Sequence, residues 1–187
     1  DACFTITNRQ WWREASYNVG AIPIGGIGIL SLAIRPDSTN PQTALWLREA
    51  TRRMGVPLHC HYSGIWDQAA GEKHPEWAVV PNPKAAQGGD AFHTAEGRMC
   101  PRGGYAEGLL IPQMIELLKR YGVDGFWVDG EIWAVQPCYC DRCKAAFREQ
   151  TGIRRPPTST DDQDWVAWIN FQRQSFYEYV TRYVTAV

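Results

Sequence analysis

Three short apolar runs separated by stretches of helical periodicity constrain this chain more than any other feature. Ile27 to Ile34 is almost continuously apolar, Val56 to Tyr62 forms the second run, and Gly125 to Asp129 forms the third. The nearly continuous first run suits a strand covered on both faces, as in parallel sheets. Between them, Thr43 to Met54 places Leu47, Ala50 and Met54 at helical spacing before Gly55. Glu107 to Tyr121 repeats the pattern with Leu110, Met114, Ile115 and Leu118 before Gly122. A glycine just past the last periodic residue is a helix stop signal. Two more helices are expected, Lys144 to Gln150 and Asp161 to Val184, the second carrying Trp165, Trp168, Ile169, Phe176, Tyr179, Val180 and Tyr183 on one stripe. Ser63 to Gly104 lacks sustained periodicity, and loops of that length in compact domains are usually functional.

Strands that alternate with helices imply parallel βαβ units. A complete eightfold barrel needs roughly 200 or more residues. Three strands in 187 residues therefore amount to about half of one. The expected fold class is α/β, a partial (β/α)8 TIM barrel, with residues 1–187 as one catalytic-type domain, incomplete at one or both ends. A small doubly wound sheet is the alternative, although neither a glycine-rich phosphate fingerprint nor a P-loop occurs to favour it.

Composition removes several classes of function. Nineteen basic and twenty acidic residues leave a net charge of −1, without the concentrated positive field that nucleic acid or anionic membranes attract. No stretch approaches the roughly 20 apolar residues of a membrane span. The expected partner is a saccharide, with no nucleic acid and no membrane, and a homo-oligomer is one expected assembly state. Nine Trp, eight Tyr and six Phe mostly supply core, but exposed aromatic faces also suit the apolar side of a pyranose.

Catalytic groups of parallel α/β folds sit at the carboxyl ends of strands, where the βα loops converge. Asp129 and Glu131 occupy that position after the third run, with Gly130 allowing a sharp turn between them. Glycoside cleavage needs one protonated carboxyl to donate to the leaving oxygen and one carboxylate as nucleophile or base. A carboxyl walled by Trp127, Ile132 and Trp133 is partly desolvated, which raises its pKa and favours the acid role. The alternative is that one carboxylate caps the next turn or pairs with an arginine. The second run ends in Leu58-His59-Cys60-His61-Tyr62, where alternation puts His59 and His61 on one face and Cys60 and Tyr62 on the other. His59, His61, Tyr62, Trp66 and Trp133 are the candidate saccharide contacts, a core histidine satisfied by backbone being the competing reading. His74 and His93, in the long loop, are expected to be merely solvated.

Cys138-Tyr139-Cys140-Asp141-Arg142-Cys143 has a spacing that lets three thiolates close around one Zn²⁺, with a fourth ligand from elsewhere. Cys100, before Pro101, is the best candidate. A closed four-thiolate site is structural, because no coordination position stays open for water. Three free thiols, or a disulfide plus one, is the competing reading. Cys3 and Cys60 read as plain thiols. The clustered thiols slightly favour a cytoplasmic setting.

Cys100-Pro101, the helix ending in Arg120-Tyr121, Trp127-Val128-Asp129-Gly130-Glu131 and Pro137 to Arg148 together resemble family 42 β-galactosidases and related barrel hydrolases. The resemblance implies a structural zinc on Cys100, Cys138, Cys140 and Cys143, with Glu131 as general acid/base. Gly130 stands where that family has Asn, so the amide that contacts the sugar's 2-hydroxyl is missing. Tyr121 to Gly130 also resembles family 29 α-fucosidases and the glycosyl hydrolase-like barrels near them, and His61-Tyr62-Ser63-Gly64 and Pro75-Glu76-Trp77 agree. That second resemblance implies Asp129 as nucleophile. Together they cover roughly Ala44 to Phe147, and the partner carboxylate is expected from a later strand outside these 187 residues. The isolated piece is then expected to be inactive. Two other classes remain: a non-catalytic carbohydrate-binding module, and a zinc-stabilised interaction domain.

Overall fold

A computed structural model describes residues 4–6, 17–24, 27–32, 41–55, 57–63, 65–84, 97–129 and 137–187. Glu131, Trp133, His93 and Cys3 lie outside them, as do the side chains of Asp129, Cys60, His61 and Tyr62. The chain divides into two compact units, one formed by Asp1–Gly64 with Leu110–Asp129 and the other by Ile65–Leu109 with Gly130–Val187.

The first unit is a five-stranded sheet in the order β1-β2-β3-β4-β5. Its strands are β1 (Phe4–Ile6), β2 (Tyr17–Ile24), β3 (Ile27–Leu32), β4 (Leu58–Ser63) and β5 (Gly125–Asp129). The three strands expected from sequence are β3, β4 and β5, and they pair in parallel as consecutive neighbours. β1 and β2 are additions to the sequence-based count, and both pair antiparallel. Gly20 and Pro23 obscure β2 in the sequence, because both residues are depleted in strands. Pro23 is tolerated because β1 pairs only with Tyr17, Asn18 and Val19, leaving Pro23 opposite Gly28 of β3 alone.

Helix α1 (Pro41–Met54) links β3 to β4. It starts on a proline, whose missing N–H costs nothing in a first turn, and ends on Arg52 and Arg53 near the negative pole of its dipole. The link into β5 is a helical stretch with α3 (Ile111–Glu116) at its centre and wider π-type turns at Ala106–Leu110 and Leu117–Tyr121. It stops at Gly122, whose φ of 66° only glycine adopts without strain. Leu110, Met114, Leu117 and Tyr121 are buried from this stretch, and Leu58 and Thr51 are completely so. The Asp124 carboxylate joins three elements, accepting from the Leu58 N–H at 2.8 Å and from Arg48 Nη1 at 2.6 Å. That Leu58 N–H, first, and the Arg48 guanidinium hold the Asp124 carboxyl below its ordinary range.

The second unit gives structure to part of the stretch expected to be aperiodic. Asp67 N-caps the short helix α2 (Gln68–Lys73), accepting from the Ala70 N–H at 2.9 Å, and it also receives the Tyr105 hydroxyl at 3.2 Å. Trp66 bridges to Arg98 and Ala78 to Met99, bringing both ends of the loop together. His74 is not merely solvated: it stacks on Trp77 at 3.8 Å and pairs with Glu76 at 3.2 Å. Trp77 lies against three glycines. A Cβ on Gly103 would meet the Trp77 carbonyl at 2.8 Å, and one on Gly104 or Gly108 would meet the indole at 2.6 or 2.7 Å.

Helices α4 (Asp141–Thr151) and α5 (Trp165–Ala186) complete this unit. The buried face of α5 is Trp168, Phe171, Gln172, Ser175, Tyr179 and Tyr183. Phe171, Gln172 and Ser175 were not on the expected stripe, because two of the three are polar. Their burial follows from partners: Ser175 accepts from Arg102 Nε at 2.8 Å, and Gln172 bonds backbone at Cys138. Phe147, Trp168 and Phe171 meet edge-on or stacked with centroids 4.9 to 5.5 Å apart, next to the cysteine cluster. No helix among the described residues is long and apolar enough to cross a membrane.

Candidate metal centre and strand-end carboxylate

Three elements of chain deliver four sulfurs to one point. Cys138 and Cys140 lie on the approach to α4, Cys143 in its first turn, and Cys100 in the turn before the π-type helix. All four ligand atoms lie within 4.8 Å of one another. Cys100 Sγ is 3.5 Å from Cys143 Sγ and 3.8 Å from Cys140 Sγ. A tetrahedral ion with metal–sulfur bonds of about 2.3 Å requires sulfur–sulfur edges of about 3.8 Å, whereas a disulfide requires about 2.05 Å. The spacing fits a metal ion, and the four cysteines are free thiols. Cys100 and Cys138 are fully buried, Cys143 is 1% exposed, and Cys140 is half-buried.

Packed this closely, the four thiols shift one another's titration. Thiol hydrogen bonds, first from Cys100, hold Cys138 and Cys140 below the ordinary thiol range. The same bonds push the donors up, Cys100 chiefly against Cys138 and Cys143 chiefly against Cys100. Four sulfurs this close cannot all carry negative charge unless a cation sits among them.

The surroundings fix the ligands in place. The Val80 N–H points at Cys138 Sγ from 3.5 Å. Gln172 Oε1 accepts from the Cys138 N–H at 3.3 Å, and Gln172 Nε2 donates to the Cys138 carbonyl at 3.4 Å. The Tyr139 hydroxyl donates to the Pro157 carbonyl at 2.8 Å, and the Arg142 guanidinium donates to the Glu76 carbonyl. Only the cysteines were legible in sequence. A glutamine four residues after Trp168 in an aromatic stripe was the available signal for Gln172.

Of the two catalytic candidates, Asp129 lies among the described residues and Glu131 does not. Asp129 is the last residue of β5 and pairs in register with Ser63, the last residue of β4. His61 and Tyr62 stand opposite Trp127 and Val128, near that end. His59 does not: it pairs with Gly125, four residues or about 13 Å of strand away from Asp129. Its ring lies over Gly125, whose Cβ position is 3.5 Å from His59 Nε2. Trp66 belongs to the second unit and is 37% exposed, with the Arg98 guanidinium 4.8 Å above its ring. That contact takes one indole face. Burial pulls the Arg98 pKa below its ordinary value.

No protein-family model and no curated protein matches the chain. Among solved structures, it is similar to α-L-fucosidase isoenzyme 2 from Paenibacillus thiaminolyticus, with 21% identity and a TM-score of 0.55 over 82% of this chain. The match spans 22% of that protein's length, and what the two share is the fold.

Proposed function

We propose that the chain is a portion of a (β/α)-barrel glycoside hydrolase in which Asp129 is the nucleophilic carboxylate and the four cysteines hold a structural Zn²⁺. The observation that carries this reading is a carboxylate residue closing the parallel strand β5, in a chain with the fold of part of an α-L-fucosidase. Parallel strands direct their carboxyl ends to the face where barrel enzymes bind substrate. The fucosidase likeness weighs towards Asp129 over Glu131, and an α-L-fucoside-type sugar is the substrate class to test first. His61 and Tyr62 are the proposed sugar contacts from the neighbouring strand. The proton donor, and with it completion of the barrel, comes from outside β3, β4 and β5.

Zinc suits the metal centre because four thiolates form a tetrahedral, charge-rich, closed site with no position for substrate. The ion would fasten the turn at Cys100 and the stretch Cys138 to Cys140 to helix α4.

A fuco-configured iminosugar tests the carbohydrate reading, since its ring cation mimics the charge that develops at the anomeric carbon and pairs with a nucleophilic carboxylate. Calorimetry should detect binding to the 187-residue chain that Asp129→Asn weakens at least about tenfold while Glu131→Gln leaves it intact. Equal binding by Asp129→Asn, or no binding by the wild type, overturns the assignment.

A further inference from the structure

The metal centre is unevenly protected, and the uneven member stands next to a buried partner. Cys100, Cys138 and Cys143 are 0 to 1% exposed, whereas Cys140 is half-buried. Cys140 is also the N-cap residue of α4, an eleven-residue helix. Partial exposure lets an oxidant reach a cysteine, and a second thiol beside it can resolve the oxidised sulfur. Cys100 Sγ lies 3.8 Å from Cys140 Sγ, close enough that a closure of roughly 1.7 Å forms a disulfide of ordinary length. The Cys100–Cys143 pair is shorter, at 3.5 Å, but neither sulfur is open to solvent.

We infer that Cys140 is a peroxide-reactive site and that its oxidation closes a Cys100–Cys140 disulfide, which expels the metal. The inference rests on reading the four cysteines as a metal centre. Cys140 sulfur attacks the peroxide's outer oxygen, the O–O bond breaks, and the leaving alkoxide or hydroxide takes a proton, giving a sulfenic acid and an alcohol or water. Cys100 sulfur then attacks the sulfenic sulfur, the S–OH bond breaks, and hydroxide leaves as water with the Cys100 proton or one from solvent. Two electrons pass from the two sulfurs to one peroxide. Cys138 and Cys143 remain as the only thiolates, too few for a closed tetrahedral site, so the ion leaves. A dithiol reductant and fresh metal restore the centre.

The test uses the full 187-residue chain. Cobalt uptake with a four-thiolate spectrum first establishes the centre; the zinc form then receives one equivalent of hydrogen peroxide, a chromogenic chelator reports release, and the alkylated protein is digested with trypsin. Cleavage after Arg98, Arg102, Arg120, Arg142 and Lys144 puts Cys100, Cys140 and Cys143 on three separate peptides. Fragmentation after Tyr139 distinguishes Cys138 from Cys140. The expected result is zinc release in step with a peptide linked through Cys100 and Cys140, and release slowed about tenfold or more in Cys140→Ser. A first disulfide that lacks Cys140, or release from Cys140→Ser at the wild-type rate, overturns the inference. A wild-type chain that takes up no cobalt overturns the metal reading itself and this inference with it.

Discussion

Gln172 grips Cys138 by both sides of its backbone, accepting from its N–H and donating to its carbonyl from a side chain only 3% exposed. The primary amide therefore orients a metal-ligand candidate without touching its sulfur. Outer-shell groups of this kind commonly hold 10- to 100-fold in metal affinity. Gln172→Ala should weaken zinc binding by about that factor in a chelator competition. It should also destabilise the unit by about 1–3 kcal/mol, since the Cys138 N–H and carbonyl lose their partners. Unchanged zinc affinity would reduce Gln172 to a packing residue.

Metal removal should loosen the second unit. The cysteines share a cluster with Phe147, Trp168 and Phe171, so the ion and the aromatic core hold the same elements together. Chelation, or Cys143→Ala, should lower the thermal midpoint and blue-to-red shift the tryptophan emission as Trp168 is exposed. Protons compete with the metal for the thiolates, so affinity should fall as pH is lowered. A chelated protein that melts at the same temperature as the loaded one would contradict a structural role.

Gly104 has no room for a side chain, because a Cβ there would sit 2.6 Å from Trp77 Nε1. Trp77 is itself stacked on His74 and edge-on to Tyr105 with centroids 6.4 Å apart, so it cannot move freely. Gly104→Ala should cost about 1–3 kcal/mol by overpacking, measured by chemical denaturation. A neutral result would mean that Trp77 has another place to go.

Asp124 gives the first unit a pH dependence of definite sign. Its carboxyl is held low in the folded chain, so it contributes stability above its free value of about 3.9, and that contribution disappears as pH falls through the folded value. Near neutral pH the wild type should be more stable than Asp124→Asn, and the gap should close in acid. The pair with Arg48 is partly solvent-exposed, so salt should narrow the gap as well. A gap that stays constant from neutral to strongly acidic pH would show that the carboxylate charge is not what matters.

The legible parts of this protein were those written in local pattern. The sequence predicts a strand over Gly125 to Asp129 and β5 forms over those same residues, because Gly122 and Asp124 punctuate the chain before it and Phe126-Trp127-Val128 form its apolar body. The three parallel strands were equally plain. β2 was not, since Gly20 and Pro23 interrupt it and its partner is supplied by the hairpin with β3. The His59 and His61 pair shows the other limit. Alternation assigns both to one face, but only register with β5 separates His59, beside Gly125, from His61, beside Trp127.

Sequence alone determined the strand–helix alternation and the cluster of Cys138, Cys140 and Cys143, because periodicity and ligand spacing are properties of neighbours along the chain. Tertiary structure decided that Cys100 joins the other three within 4.8 Å, that Gln172 and Val80 hold Cys138, and that Cys140 is the one half-buried cysteine of the four. Cys100 and Cys140 are 40 residues apart in sequence, and Cys138 and Gln172 are 34 apart. No local preference encodes such distances; they arise only when burial of the aromatic cluster draws separate segments around one point.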